Sequence, residues 1–144
     1  MAWPADLSLM VEAEPESVRA ALQQLMRDLG PANLAKDLQG TLELILAEVL
    51  NNIVEHAYAD KGGGISLHLG LHPMALWCEV SDQGAPMPDG ALPAGDAAAL
   101  DDLPEGGFGW FLIRSLANDL SYRRDGETNR LCFSLSLAPP PVGA

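Results

Sequence analysis

The sequence predicts an α+β fold, a two-layer sandwich of a mixed, mostly antiparallel sheet covered on one face by helices. Two observations predict it. Apolar patterns of helical period fall mainly early in the chain, and patterns of strand period cluster late. The chain has 144 residues, 48% of them hydrophobic and 19% charged, which suits one domain with a sizeable core. The expected unit is a single domain over 1–144, ordered over about 7–137, with a lid loop over about 85–107.

Residues 7–12 read as a short strand. Residues 17–29 follow the acidic opener Glu12, Glu14 and Glu16 and read as a helix with Val18, Leu22, Leu25 and Met26 on one face. Gly30 and Pro31 stop it. A second helical region runs from 33 to about 58, with Gly40 as a point where it is open to a break. Three glycines after Lys61 make a turn. In the strand 65–71, Ile65, Leu67, Leu69 and Leu71 alternate onto one face; in 76–82, Leu76, Cys78, Val80 and Asp82 do so. From 83 to 107 the composition turns to Gly, Pro, Ala and Asp without a period, and loops this long in compact domains are usually functional. A helix over 108–118 follows, then strands over 120–124 and 130–137 joined by a turn at Asp125 and Gly126. The proline-rich tail, 138–144, reads as frayed.

Charge narrows the partners. Eight Lys+Arg against twenty Asp+Glu give a formal charge of −12, which argues against a nucleic-acid or anionic-membrane surface. No basic residue lies between Lys61 and Arg114. A phosphate held by that stretch therefore relies on backbone N–H groups and a cation. The two cysteines make no disulfide framework, and no signal peptide or membrane span is legible, so the expected location is the cytoplasm. His68 and His72 share a strand face without a third ligand, so zinc is not expected. Neither cysteine has a CxxC partner or an adjacent His, so thiol catalysis is not expected either.

Three features carry possible chemistry. On a helix at about 100° per residue, Leu42, Ile45, Leu46, Val49, Leu50, Ile53 and Ala57 fill an apolar face. Glu48, Asn52 and Glu55 form a stripe beside it, with His56 at its margin and Asn51 turned to solvent. Spaced four apart, the side chains of Glu48 and Asn52 should meet. This stripe reads either as a solvated flank or as a site. Asp82 points by alternation toward the core, where a carboxylate needs strong donors. It reads either as the start of a turn or as an acceptor for an exocyclic amine, with Gly84 two residues on letting a flat ligand approach the backbone. Gly106, Gly107 and Gly109 open the late helix, which reads either as a plain loop end or as a phosphate cradle of free N–H groups.

These features in this order resemble the Bergerat-fold (GHKL) ATPases, most closely the small anti-sigma-factor serine/threonine kinases with a histidine-kinase-like ATPase domain. Residues 48–58 (EVLNNIVEHAY) look like the N box, 82–86 (DQGAP) like the adenine box, and Gly106, Gly107, Phe108 and Gly109 like the phosphate-binding end of the lid. Tyr122 through Leu131 is similar to the family's closing strands.

The resemblance implies ATP and Mg²⁺ as cofactors. Asn52 would be the Mg²⁺ ligand and Glu48 the general base, with Arg19 meeting the γ-phosphate and the substrate protein. Asp82 and Gly84 would bind adenine, and Gly106, Gly107, Phe108 and Gly109 the phosphates. Arg19 reads equally well as a solvated helix arginine, and His56 as structural. The implied function is an anti-sigma factor that phosphorylates a STAS-type anti-sigma-factor antagonist. Its implied partners are that antagonist and a sigma factor, with a homodimer allowed. The alternative is a non-catalytic partner-switching module that sequesters a sigma factor or antagonist. A third is the detached ATP domain of a histidine kinase. Val49 and Ile53 replace the usual alanines, which would narrow the pocket. Trp110 replaces a usual leucine, and the lid carries only acidic charge. With no Lys or Arg in the lid, Mg²⁺, the glycine amides and Arg19 or Arg114 would have to offset the triphosphate.

Overall fold

The computed structural model describes residues 6–59, 61–92 and 107–137, the side chains of Asp89 and Phe108 excepted. Strand β1 (Asp6–Glu12) leads into helix α1 (Pro15–Asp28). Pro15 stands at the start of α1, where a missing N–H costs nothing and a fixed φ suits the helix. Helix α2 (Lys36–Asn52) runs unbroken through Gly40, where an added Cβ would meet nothing. It then widens into a π turn over Ile53–Ala57. That wider turn carries Val54, which the ideal helical wheel leaves outside the apolar face, into the core at 2% exposure.

Strands β2 (Gly64–Leu71) and β3 (Ala75–Asp82) form a hairpin; helix α3 (Gly107–Leu116) follows the loop, then strands β4 (Asn118–Asp125) and β5 (Thr128–Ser136). The five-stranded sheet has the order β1-β2-β3-β5-β4. A mixed sheet was expected, but every pairing among the described residues is antiparallel. The reason lies in the connections. The helical pair α1 and α2 returns the chain to the end of the sheet it left, so β2 runs against β1. The single helix α3 makes a parallel crossover from β3 to β4, and β5 is inserted between those two strands.

One sheet face and the helices above it hold the core. Ile65, Leu67, Leu69, Leu76, Cys78, Val80, Phe133 and Leu135 point into it, met by Leu42, Ile45, Leu46, Val49 and Leu50 of α2 and by Ile113 of α3. The pairing register places Ile65 opposite Asp82 and Asp82 opposite Asn129. The last rung of that apolar face therefore ends on two buried polar side chains, Asp82 and Asn129.

The other sheet face exposes Met10 and Trp77, and there His68 sits between the Ser8 hydroxyl at 2.9 Å and the Asp6 carboxylate at 3.3 Å. Cys78 and Cys132 are both free. Burial pushes the Cys78 thiol well above its ordinary range, with Cys132 adding to the rise. Partial burial raises the Cys132 thiol too, and Glu79, which accepts its S–H, raises it further. Protonated thiols are poor nucleophiles. Among the described residues no helix is long and apolar enough to cross a membrane, and no group of three or more His, Cys, Asp or Glu is placed to hold a metal ion.

Candidate functional site

A cavity of about 370 Å³ opens between α2, the π turn, and the ends of β3, β4 and β5. Val49, Ile53, Trp110 and Leu131 give it apolar walls, and Asn52, Asp82 and Asn129 supply its polar groups. Apolar walls with a few fixed polar groups suit a flat heterocycle. Val49 and Ile53 are buried against the core, so their bulk lines the cavity without closing it.

One end of the cavity is built around Asp82. Its Oδ1 accepts from the Gly84 amide at 2.8 Å and from Asn129 Nδ2 at 2.9 Å. Its Oδ2 has no hydrogen-bond partner among the described residues. Asn129 also donates to the Ala85 carbonyl at 2.9 Å, and its Oδ1 accepts from Tyr122 Oη at 2.6 Å and Arg124 Nη1 at 3.0 Å. Tyr122 Oη in turn accepts the Met87 amide at 2.9 Å, and Arg124 Nη1 donates to the Gly84 carbonyl at 2.7 Å. The start of the long loop is thus tied at three successive points to β4 and β5.

Gly84 has a different reason from the one its sequence suggests. A Cβ there would lie 2.5 Å from the Ala57 carbonyl oxygen, so the space is taken by the π turn and not left to a ligand. Ala85 donates its amide to that same carbonyl at 2.7 Å. Tyr58 reinforces the junction: its hydroxyl donates to the Gly64 carbonyl and accepts the Gln83 amide.

The other end holds Glu48, Asn52 and the first turn of α3. Asn52 is 8% exposed, more buried than a helix boundary suggests. Its Nδ2 bonds back to the Glu48 carbonyl at 2.8 Å, not to the Glu48 carboxylate. The two side chains still converge, because both lie over Gly109, where a Cβ would collide with Glu48 Oε2. Asn52 Oδ1 has no partner among the described residues, and a buried acceptor left unpaired is costly without a ligand or ion.

Of the residues singled out from sequence, Asn52, Asp82 and His56 line the cavity; Glu48 and Gly109 lie together beside Asn52, and Gly84 bonds the Asp82 carboxylate from behind. Gly107 contributes backbone to the first turn of α3, while Gly106 and most of the lid, 93–106, lie outside the described residues. Arg19 is exposed on α1 and is not among the residues lining the cavity. Arg114 stands in the last turn of α3, away from the helix start, and its Nη2 donates to the Leu92 carbonyl at 3.3 Å. His56 lines the cavity with its ring largely exposed.

The histidine kinase-like ATPase domain model matches residues 11–135, spanning every element that builds the cavity. The chain belongs to that family.

Curated relatives of this ATPase domain are kinases. A serine/threonine-protein kinase, BtrW, of Bordetella bronchiseptica is 37% identical over 105 residues, covering 71% of this chain and 73% of that protein. A serine-protein kinase, RsbW, of Halalkalibacterium halodurans is 33% identical over 89 residues, covering 58% of this chain. The chain spans about half of that relative's length, 54%. The fold matches a crystal structure of the RsbU and RsbW domains of a Mycobacterium tuberculosis protein with a TM-score of 0.68. That match has 16% identity over 95% of this chain and 34% of the other.

Within this ATPase domain, sequence reasoning missed Asn129 and Tyr122 as parts of the site. From sequence, both stand out only as matches to the family's closing strands. The signal for Asn129 was alternation: it shares its strand face with Leu131, Phe133 and Leu135, so an amide there had to find partners inside.

Proposed function

We propose that the protein is a Mg-ATP-dependent serine/threonine protein kinase and anti-sigma factor that phosphorylates a STAS-type anti-sigma-factor antagonist in the cytoplasm. One observation carries the reading. One cavity has at one end a carboxylate oxygen, Asp82 Oδ2, and at the other a buried acceptor, Asn52 Oδ1, beside the Glu48 carboxylate, and neither oxygen has a hydrogen-bond partner among the described residues.

Asp82 Oδ2 is an acceptor for the exocyclic amine of adenine, and a guanine carbonyl would face it without a donor. The apolar walls take the ring faces. Asn52 fits a magnesium ion. It offers one side-chain oxygen, and no group of three or more His, Cys, Asp or Glu among the described residues surrounds it, which suits a cation that keeps its waters and takes other ligands from substrate phosphates. Such an ion supplies charge neutralisation at the transferring phosphoryl group. Gly109, in the first turn of α3, lies against Glu48 and Asn52, and the free amides of a helix start favour anionic oxygens. Glu48, which lies beside Gly109, would take the proton from an attacking hydroxyl. Phosphoryl transfer asks mostly for position and charge neutralisation, which these groups supply.

The test uses labelled Mg-ATP and a STAS-domain anti-sigma-factor antagonist as the phosphate acceptor. Label on serine or threonine of that protein, lost in Glu48→Ala and in Asn52→Ala, supports the kinase. Tight association with no transfer assigns the sequestering module instead, and acid-labile label assigns a phosphohistidine-forming domain.

A further inference from the structure

Asn129 is buried at 4% exposure, and every polar atom of its side chain is engaged. Its orientation is chemically determined. A guanidinium only donates, so the atom facing Arg124 must be the amide oxygen. Tyr122 Oη accepts the Met87 N–H, so its own proton is free to go to that same oxygen. Two donors on Oδ1 force Nδ2 toward Asp82. A flipped amide would set oxygen against carboxylate and NH₂ against guanidinium, losing both sets of bonds.

The consequence falls on Asp82. Its inner oxygen is saturated by Asn129 and by the Gly84 amide, which stops the carboxylate from rotating. We propose that Asn129, oriented by Tyr122 and Arg124, is a positioning residue for base choice: it occupies the inner oxygen of Asp82 and leaves the outer one as the free acceptor for an exocyclic amine. Selection between 6-amino and 6-oxo purines then belongs to a relay across three strands, β4 to β5 to β3, and not to one aspartate. This rests on Asp82 being the amine acceptor. The same relay holds Met87, Gly84 and Ala85, so the base acceptor and the first residues of the lid are set by one group of bonds.

The experiment is calorimetric titration of the full chain with Mg-ATP and with Mg-ITP, which differ at position 6 of the purine. The variants are Tyr122→Phe, Arg124→Met, Asn129→Leu and Asp82→Asn. Tyr122→Phe keeps the ring that lines the cavity and deletes only the hydroxyl, so it reports even if Asn129→Leu fails to fold. The wild type is expected to prefer ATP. The loss of one bond to a charged or buried group corresponds to about tenfold, so Tyr122→Phe and Arg124→Met should each shrink the ATP-to-ITP ratio by about that factor. The change should come mainly from weaker ATP binding. Equal losses for both nucleotides in Tyr122→Phe and Arg124→Met would mean that these side chains only brace the fold, and an unchanged ratio would also overturn the proposal. A wild type without preference, or Asp82→Asn binding ATP as the wild type does, would instead remove the premise that Asp82 takes the amine.

Discussion

The two ends of the cavity are built on opposite plans. At the base end, Asp82, Asn129, Tyr122 and Arg124 satisfy one another, and one acceptor is left over. At the other end, proposed for the phosphates, Asn52 Oδ1 and the Glu48 carboxylate have no side-chain partner among the described residues, and a glycine makes room for them. A hydrogen-bonded network fixes geometry before a ligand arrives, so little ordering is left to oppose binding. An unsatisfied end is completed only by the ligand and its ion. The difference teaches which end should control affinity and which should control rate.

Two substitutions test that division, the larger first. Glu48→Ala should lower phosphoryl transfer by about 10²- to 10⁴-fold, the range for a lost general base, while calorimetry shows Mg-ATP binding little changed. Asp82→Asn should do the reverse. It presents NH₂ where the purine amine must be accepted, so ATP affinity should fall by about 10- to 100-fold from an unpaired buried group. Transfer at saturating nucleotide should survive. A Glu48→Ala protein that binds ATP as poorly as Asp82→Asn would show that the ends are not separable.

Gly109→Ala sharpens the comparison at the phosphate end. Its Cβ would collide with the far end of a flexible side chain, Glu48 Oε2, and with no backbone atom. Glu48 gives way and the fold remains. Alanine in a helix is favoured over glycine by up to about 1 kcal/mol, so the thermal midpoint should hold or rise. A displaced base should nonetheless slow transfer by about 10- to 100-fold. Lower activity together with lower stability would mean that α3 itself had moved.

How much of this was legible from residues alone depended on the distance over which each feature is decided. Alternation is local, so the inward turn of Asp82 could be read from Leu76, Cys78 and Val80. The spacing of Glu48 and Asn52 was likewise enough to place them together at one end. Asn129 reaches Asp82 across 47 residues of sequence, and that meeting is fixed by the β3–β5 register, which no local pattern encodes. The π turn was hidden for a similar reason: its wider spacing is tied to the burial of Ile53 and Val54 and to the Ala57 carbonyl's bond to Ala85. The glycines were visible, yet the reason for two of them was not. Gly84 was expected to let a flat ligand approach and Gly109 to offer its amide to phosphate; a side chain at the first would meet Ala57 and at the second Glu48.

Gly84 therefore gives the smallest and most diagnostic effect. The same change, glycine to alanine, meets backbone there instead of a movable side chain. The Ala57 carbonyl oxygen at 2.5 Å and its carbon at 2.6 Å cannot rotate away. Either the π turn or the start of the lid must shift, at the cost of the Ala85–Ala57 hydrogen bond. Overpacking of this kind costs about 2 kcal/mol, and for a chain of this size that lowers the thermal midpoint by about 5 °C. Because the shift also pulls Gly84 N from Asp82 Oδ1, the affinity for ATP should fall with stability, by less than in Asp82→Asn. Gly84→Ala and Gly109→Ala thus predict opposite pairs of signs, one losing stability and affinity, the other losing only rate. A Gly84→Ala protein with a wild-type midpoint and wild-type ATP binding would show that the base end yields as readily as the phosphate end, and the contrast between them would be lost.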